Sequence, residues 1–266
     1  MRIVVLVKPV PDPASGAERL GPDGRLDRAA SPAVVNGNDE YALEAALKLV
    51  EEHGGEVTLV SMAPANAPET MRKALAMGAQ SGLHVTDTAL EGSDTVSTAR
   101  VLAAALEGLE FDLVLAGVDT SDGVAGVVPA GVAALRRLPY LSYAAKIEPD
   151  PGAGTVRVRR ISATGYDILE APMPALISCT QALGEPRYPS LKGIMAARSR
   201  TIDTRSLGDL GVDGSGTGGA VAMTAVVDSR PPEARGATRV VRDGADEAAR
   251  QVVDFLAERR LLRGFN

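Results

Sequence analysis

The chain has 266 residues, 45% of them hydrophobic, with 28 Lys and Arg set against 34 Asp and Glu for a net charge of −6. That is enough apolar material for one large α/β domain, with or without an appendage. Net acidity and an aromatic content of 3%, with no Trp, argue against a nucleic-acid reader, which needs cations for phosphates and rings for bases. The one cysteine, Cys179, excludes an intramolecular disulfide and points to a reducing, cytoplasmic setting.

Residues 3–7 (IVVLV) are a β-branched run, expected to be a strand covered on both faces. Lys8 then breaks the run, which is too short for a signal peptide or a membrane span. A polar, proline-rich loop follows to about Asn38. From there NDEYALEAALKLVEEHGG (38–55) places Leu43, Ala46, Leu47 and Val50 on one stripe, which predicts a helix. Asn38 is its expected N-cap and Gly54 its left-handed stop. EVTLVSM (56–62) is the next strand, and PETMRKALAMGA (68–79) a second helix between Pro68 and Gly78. LHV (83–85) is a short strand. SDTVSTARVLAAALEG (93–108) is a third helix, capped by Ser93 or Asp94. DLVLAG (112–117) is another strong strand, and VAGVVPAGVAALRRL (124–138) a fourth helix ending before Pro139. TVRVRR (155–160) and DILEAP (167–172), around Gly165, read as an antiparallel hairpin, and PALISC (174–179) as a last central strand. Cys179 in that apolar run reads as a buried small hydrophobe rather than a nucleophile. Strands and helices alternate, and parallel strands need such crossovers. The expected fold class is therefore α/β, a doubly wound, mostly parallel, Rossmann-like sheet with an added hairpin.

The stretch EPRYPSLKGIMAAR (185–198) is anomalous. Pro186 and Pro189 cannot donate to a sheet ladder, yet Leu191, Ile194 and Met195 are costly to leave in water. Such a patch, on an approach stiffened by proline, marks a contact site; Arg187, Lys192, Arg198 and Arg200 would supply charge for steering. The other reading is that the segment braces the C-terminal arm. The α/β domain is expected over residues 1–203, with this segment at 183–201. Residues 204–266 form an arm, rich at first in Gly, Ser, Thr, Pro and Asp and too poor in apolar residues for a core of its own. Its last part, ADEAARQVVDFLAERRLL (245–262), is an amphipathic helix whose Val252, Val253, Phe255, Leu256 and Leu261 need a surface, either on another chain or on the chain's own domain.

Ligands of open α/β sheets lie at the carboxyl ends of strands. Three regions are expected side by side there: Asn36 to Asp39 with Leu6, the strand exit at Met62, and the loop VDTSDGVAG after Gly117. A loop of small residues running into a helix suits an anion, but this one is neither GxGxxG nor a Walker A, and a plain βα turn accounts for it equally well. His53 and His84 read as structural, no metal-ligand spacing occurs, and no G-x-S-x-G elbow is present. A nucleotide-sized cleft with no general acid, base or nucleophile reads as a binding site.

With these pieces in place, the chain resembles the beta subunit of electron transfer flavoprotein over essentially its whole length. VLVKPVPD (5–12), NDEYALEAALKL (38–49), RKALAMGA (72–79), EPRYPSLKGIMAAR (185–198) and GDLGVD (208–213) carry the resemblance, in the family's order. It implies a heterodimer whose alpha subunit holds most of the FAD contacts. It also implies electron carriage from flavin dehydrogenases, such as acyl-CoA dehydrogenases, to a membrane electron-transfer-flavoprotein–quinone oxidoreductase. This chain would then have no catalytic residue of its own and would hold a structural AMP. The implied AMP contacts fall on Leu6, Asn36, Gly37, Asn38, Asp39, Met62, Gly117, Thr120, Asp122, Gly123, Gly126, Val127 and Val128, with the phosphate on backbone N–H groups at the last three and adenine nearer Leu6 and Met62. Val127-Val128 and Val118-Asp119 stand where family members often carry Gln-Thr or Gln-Val and Lys-Gln, which leaves the phosphate to the backbone. The resemblance also implies that a dehydrogenase docks on Pro189, Leu191, Ile194 and Met195, with Leu191 plugging the partner's pocket, and that the 204–266 arm docks on the alpha subunit. The alternatives are an electron-bifurcating relative with a second FAD in the cleft and a stand-alone adenine-nucleotide sensor.

Overall fold

Val4 and Val5 offer apolar side chains to both faces of a strand, so β1 (Arg2–Leu6) can exist only with cover on both sides. In the computed structural model, which describes residues 1–15, 19–28, 30, 32–230, 236 and 238–262, β1 lies inside a nine-stranded sheet. A small antiparallel pair, β2 (Pro9–Pro11) and β3 (Ala33–Val35), follows it. Next come α1 (Gly37–His53), β4 (Glu56–Met62), α2 (Pro68–Met77), β5 (Ser81–Val85), α3 (Thr95–Ala105), β6 (Leu113–Gly117) and α4 (Val128–Arg136). The chain then runs through β7 (Tyr140–Asp150), β8 (Thr155–Ser162), β9 (Gly165–Pro172), β10 (Ala175–Cys179), α5 (Leu191–Ala197), β11 (Ile202–Arg205) and α6 (Ala245–Glu258).

The strand order is β11-β5-β4-β1-β6-β10-β7-β8-β9, parallel from β11 through β7 and antiparallel over β8 and β9. Alternate residues go to opposite faces. Val5, Leu59 and Leu115 pack with α1 and α2, whereas Val4, Val60 and Val114 pack with α3 and α4. The sheet is thus doubly wound. The chain leaves β1 for β4 on one side and reaches β6 on the other, so the crevice between the ends of β1 and β6 is the topological switch point.

The structure corrects some expectations and resolves others. α1 starts at Gly37, with Asn36 in the cap position and no side-chain cap; both asparagine amides are used elsewhere. Asp94 is the cap of α3, accepting from the Ser97 amide at 2.9 Å. The expected hairpin is the outer part of a three-stranded antiparallel extension. Its inner strand, β7, pairs parallel to β10 at its start and antiparallel to β8 further on. A bulge lets it change partner: Tyr143 has φ +54°, and its amide donates to Ser178 Oγ at 3.0 Å. The 185–198 stretch contains a helix, α5, capped by Ser190 Oγ accepting from the Gly193 amide at 3.0 Å. Cys179 and His84 are buried, with Nε2 of His84 3.0 Å from the Ala63 carbonyl oxygen.

The described chain divides into two units, Met1–Val227 and Asp228–Asn266. Residues 204–227 belong to the first. β11 pairs with β5, Leu207 and Thr217 are buried, and the Met223 amide donates to Asp94 Oδ2 at 2.7 Å. In the second unit, no residue of α6 is buried. Val252, Val253 and Leu261 are exposed, and the Arg259 guanidinium stacks on Phe255 at 3.6 Å. Residues 231–235 of the proline- and arginine-containing run lie outside the described residues.

Candidate functional site

The ends of β4, β1 and β6 are neighbours in register, which brings Met62, Leu6 and Gly117 to one edge of the sheet. Asp39, in the first turn of α1, ties two of these ends together. Its Oδ2 accepts from the Lys8 amide at 2.8 Å and its Oδ1 from the Gly117 amide at 3.2 Å. The residue is only 4% exposed. Burial pushes its carboxyl up to about 7, against the pull of hydrogen bonds from Asn36, Lys8 and Gly117 and of the Lys8 charge. Gly117 is required by this approach. A Cβ there would lie 2.5 Å from Asp39 Oδ1 and 2.7 Å from the Asn38 Cβ.

The loop from Val118 to Val127 is fastened to the start of α1. Asn36 Nδ2 donates to the Asp119 carbonyl at 2.8 Å, the Ser121 amide to Asn36 Oδ1 at 3.2 Å, and Asn38 Nδ2 to Asp119 Oδ1 at 2.6 Å. A second anchor sits lower in the loop. The Asp122 side chain, 4% exposed, receives Lys8 Nζ at 2.9 Å and Arg28 Nη2 at 2.6 Å. Burial pushes its carboxyl up, but the Lys8 charge and the hydrogen bonds from Lys8, Arg28 and Thr120 overcome this and hold it at about 2.

Beyond these anchors the loop stands open. Gly123, Val124, Ala125 and Val127 are exposed, Gly126 has φ +63°, and the amides of Gly126, Val127 and Val128 have no protein acceptor among the described residues. They sit at the positive end of α4. The structure therefore gathers Leu6, Asn36, Gly37, Asn38, Asp39, Met62, Gly117, Thr120, Asp122, Gly123, Gly126, Val127 and Val128 around one strand edge. Within that group, Asn36, Asn38, Asp39 and Asp122 spend their polar atoms on holding the loop. Sequence reasoning missed Lys8 and Arg28. Lys8 figured only as the residue that breaks an apolar run, and Arg28 sits in a loop without periodicity. A cavity of about 480 Å³ lies beside the edge, between the β2–β3 pair and the start of α2, with Pro9, Arg28, Asn66, Thr70 and Lys73 in its lining.

The expected docking residues lie elsewhere, on α5. Leu191 is 76% exposed, Met195 62% and Ile194 44%, with Pro189 half-buried just before the helix. Of the four cations expected to steer, two are otherwise engaged. Arg187 pairs with Glu44 at 2.7 Å and with Glu51, and Arg200 donates to the last carbonyls of α2. Lys192 and Arg198 remain as exposed charges.

Fold and site together define a doubly wound α/β domain with a cluster of unpartnered backbone amides at its switch point, among the described residues, and a separate exposed apolar helix. Residues 23–210 match the family of the electron transfer flavoprotein domain. The chain is 38% identical over 266 residues to the electron transfer flavoprotein subunit beta of Mycobacterium tuberculosis (strain ATCC 25618 / H37Rv), covering 98% of this chain and 99% of that one. It is 35% identical over 259 residues to the subunit of the same name from Clostridium acetobutylicum, covering 97% and 98% of the two chains. It is also 33% identical over 266 residues to the caffeyl-CoA reductase-Etf complex subunit CarD of Acetobacterium woodii, covering 98% and 100%. The chain belongs to the electron transfer flavoprotein beta-subunit family. Among the described residues, no helix is long and apolar enough to cross a membrane.

Proposed function

We propose that this chain is the non-catalytic beta subunit of a heterodimeric electron carrier. It holds AMP at the switch point, and its alpha subunit carries most of the FAD contacts. The observation that carries the reading is the set of unpartnered amides at Gly126, Val127 and Val128, ahead of α4 and beside the clasped ends of β1 and β6. Those N–H groups suit a phosphate, and the small, apolar Leu6–Met62 side suits a base. The residues present fit AMP in this respect, with Asp39, Asn36 and Asp122 fixing the loop rather than touching the phosphate. The FAD would supply the electron chemistry in the complex. This chain frames its subunit, and the exposed face of α5 receives a flavin dehydrogenase such as an acyl-CoA dehydrogenase. The carrier then serves a membrane quinone oxidoreductase. The exposed apolar side of α6 supports docking of the last part of the expected 204–266 arm, from Asp228 on, on the alpha subunit. The AMP and partner assignments are tested together. Co-expression with the alpha subunit is expected to give a yellow heterodimer that releases one AMP per dimer on denaturation. An empty or ATP-exchanging site in a stable, partner-free monomer refutes the reading in favour of a nucleotide sensor.

A second reading has one observation in its favour, the 33% identity to a subunit named for a caffeyl-CoA reductase-Etf complex. In that reading the cleft holds a second FAD and the carrier bifurcates electrons. Release of FAD in place of AMP, at two flavins per dimer, decides for it.

A further inference from the structure

α5 has seven residues, too few to be stable as an isolated helix, and it carries a glycine in its middle. Glycine is disfavoured there relative to alanine, so its presence needs a reason. The reason is α2. A Cβ on Gly193 would lie 2.3 Å from the Ala76 carbonyl oxygen, far inside contact distance. The two helices approach as closely as they do only because residue 193 has no side chain.

Their ends are joined by an exchange of arginines. Arg72, on α2, donates through Nη1 to the Ala197 carbonyl at 2.8 Å and the Arg200 carbonyl at 3.2 Å, where α5 finishes. Arg200, just beyond α5, donates to the Leu75 carbonyl at 3.1 Å and to the Ala79 carbonyl, where α2 finishes. Each guanidinium closes the negative end of the other's helix, satisfying carbonyls that would otherwise face water. Leu191 and Met195 are four residues apart and share one face. Gly193 lies between them in sequence and therefore on the opposite face.

We propose that Gly193, Arg72 and Arg200 are positioning residues that set the bearing of the Leu191–Met195 face. The helix is thus presented to a dehydrogenase already ordered, without an entropic cost at encounter. This rests on the reading of α5 as the docking element. Adding a Cβ at 193 drives α5 about 1 Å away from α2 and carries the apolar pair with it, and displacements of that size are costly at a fitted contact.

The test uses the chain co-expressed with its flavin-bearing alpha subunit, reduced by an acyl-CoA dehydrogenase and its acyl-CoA. Leu191→Ala, Gly193→Ala and Arg72→Ala are compared. Gly193→Ala and Arg72→Ala are each expected to raise the KM for the dehydrogenase about tenfold, equivalent to about 1.4 kcal/mol of docking. The kcat at saturating dehydrogenase, the flavin content and the rate of reduction by dithionite, which needs no docking, should stay unchanged. If Leu191→Ala raises KM while both positioning variants leave it alone, the proposal fails and the docking reading stands. If Leu191→Ala changes nothing, the docking reading fails and takes the proposal with it. Loss of flavin together with transfer in both positioning variants makes α5 a brace of the fold and also overturns the proposal.

Discussion

Replacing Gly117 by alanine tests whether the switch point is built as described. The new Cβ would lie 2.5 Å from Asp39 Oδ1, 2.7 Å from the Asn38 Cβ and 2.8 Å from the Asn38 carbonyl carbon. All three neighbours belong to the first turn of α1, and the two Asn38 atoms, fixed to its backbone, cannot swing aside. α1 itself is anchored by buried residues including Ala42, Leu43, Ala46 and Leu47. Overpacking of this kind costs about 1–3 kcal/mol. Stretching the Gly117 amide bond to a buried carboxylate adds about 1–2 kcal/mol. A loss of about 3 kcal/mol is expected, which for a domain of this size lowers Tm by about 6–12 °C. The nucleotide proposed for the cleft should be lost as well, because the shift moves the Asn36 and Asn38 anchors of the loop. Two other glycines calibrate the assay. Gly123→Ala places its Cβ 3.3 Å from Thr120 Oγ1, a side-chain atom, and should cost less than 1 kcal/mol. Gly126→Ala meets nothing closer than 3.5 Å but must hold φ +63°, at about 1 kcal/mol. Thermal unfolding and nucleotide content of the three variants are measured together. A Gly117→Ala protein as stable and as loaded as Gly123→Ala refutes the steric argument.

Two further outcomes follow from buried carboxylates. Asp39 titrates near 3.8 when unfolded and at about 7 in the fold, so between these values the folded state holds the extra proton and stability falls as pH rises. Urea unfolding should show a decline of roughly 2–4 kcal/mol between pH 4 and pH 7 from this group. Asp39→Asn should flatten that decline, and a slope unchanged in the variant contradicts the assignment. Separately, Arg187→Met leaves the Glu44 carboxylate, 5% exposed, with Lys48 at 3.5 Å as its remaining ion-pair partner. The expected loss is about 2–3 kcal/mol in urea unfolding, at the lower end for a buried pair because Arg187 is partly solvated. Adding Glu44→Gln should recover at least half of it, and strictly additive losses would show that the pair is not coupled.

The parallel part of the sheet was legible because its signals are local. Continuous apolar runs such as 3–7 and 112–117, with helical stripes between them, need no knowledge of partners. β7 was missed for the opposite reason. Tyr140–Asp150 carries a proline and three charged residues, and its burial alternates only along part of its length. It is a strand because β10 and β8 flank it, which no window of its own sequence reveals. α5 was hidden by its glycine and by two prolines just before it; α2 and two arginines distant in sequence hold it. In the cleft, the strand ends and the small loop could be placed from topology. The Lys8–Asp122–Arg28 anchor could not, because Arg28 and Asp122 are 94 residues apart and no spacing rule links them. The steering charges show the same limit: Arg187 and Arg200 look free in the sequence and are engaged in the fold.

The strand order also fixes how far apart two of the exposed surfaces lie. α2, which carries α5, packs on β4 and β5 near one edge of the sheet, while β9 closes the other edge. Seven strand spacings separate β5 from β9 in that order, a span of about 30 Å at 4.8 Å per strand, allowing for twist. The exposed Leu191 face and the exposed Tyr166 and Ile168 on β9 are therefore separate surfaces, set near opposite edges of one sheet. The sheet is continuous between these edges, so the two surfaces keep a fixed distance from each other.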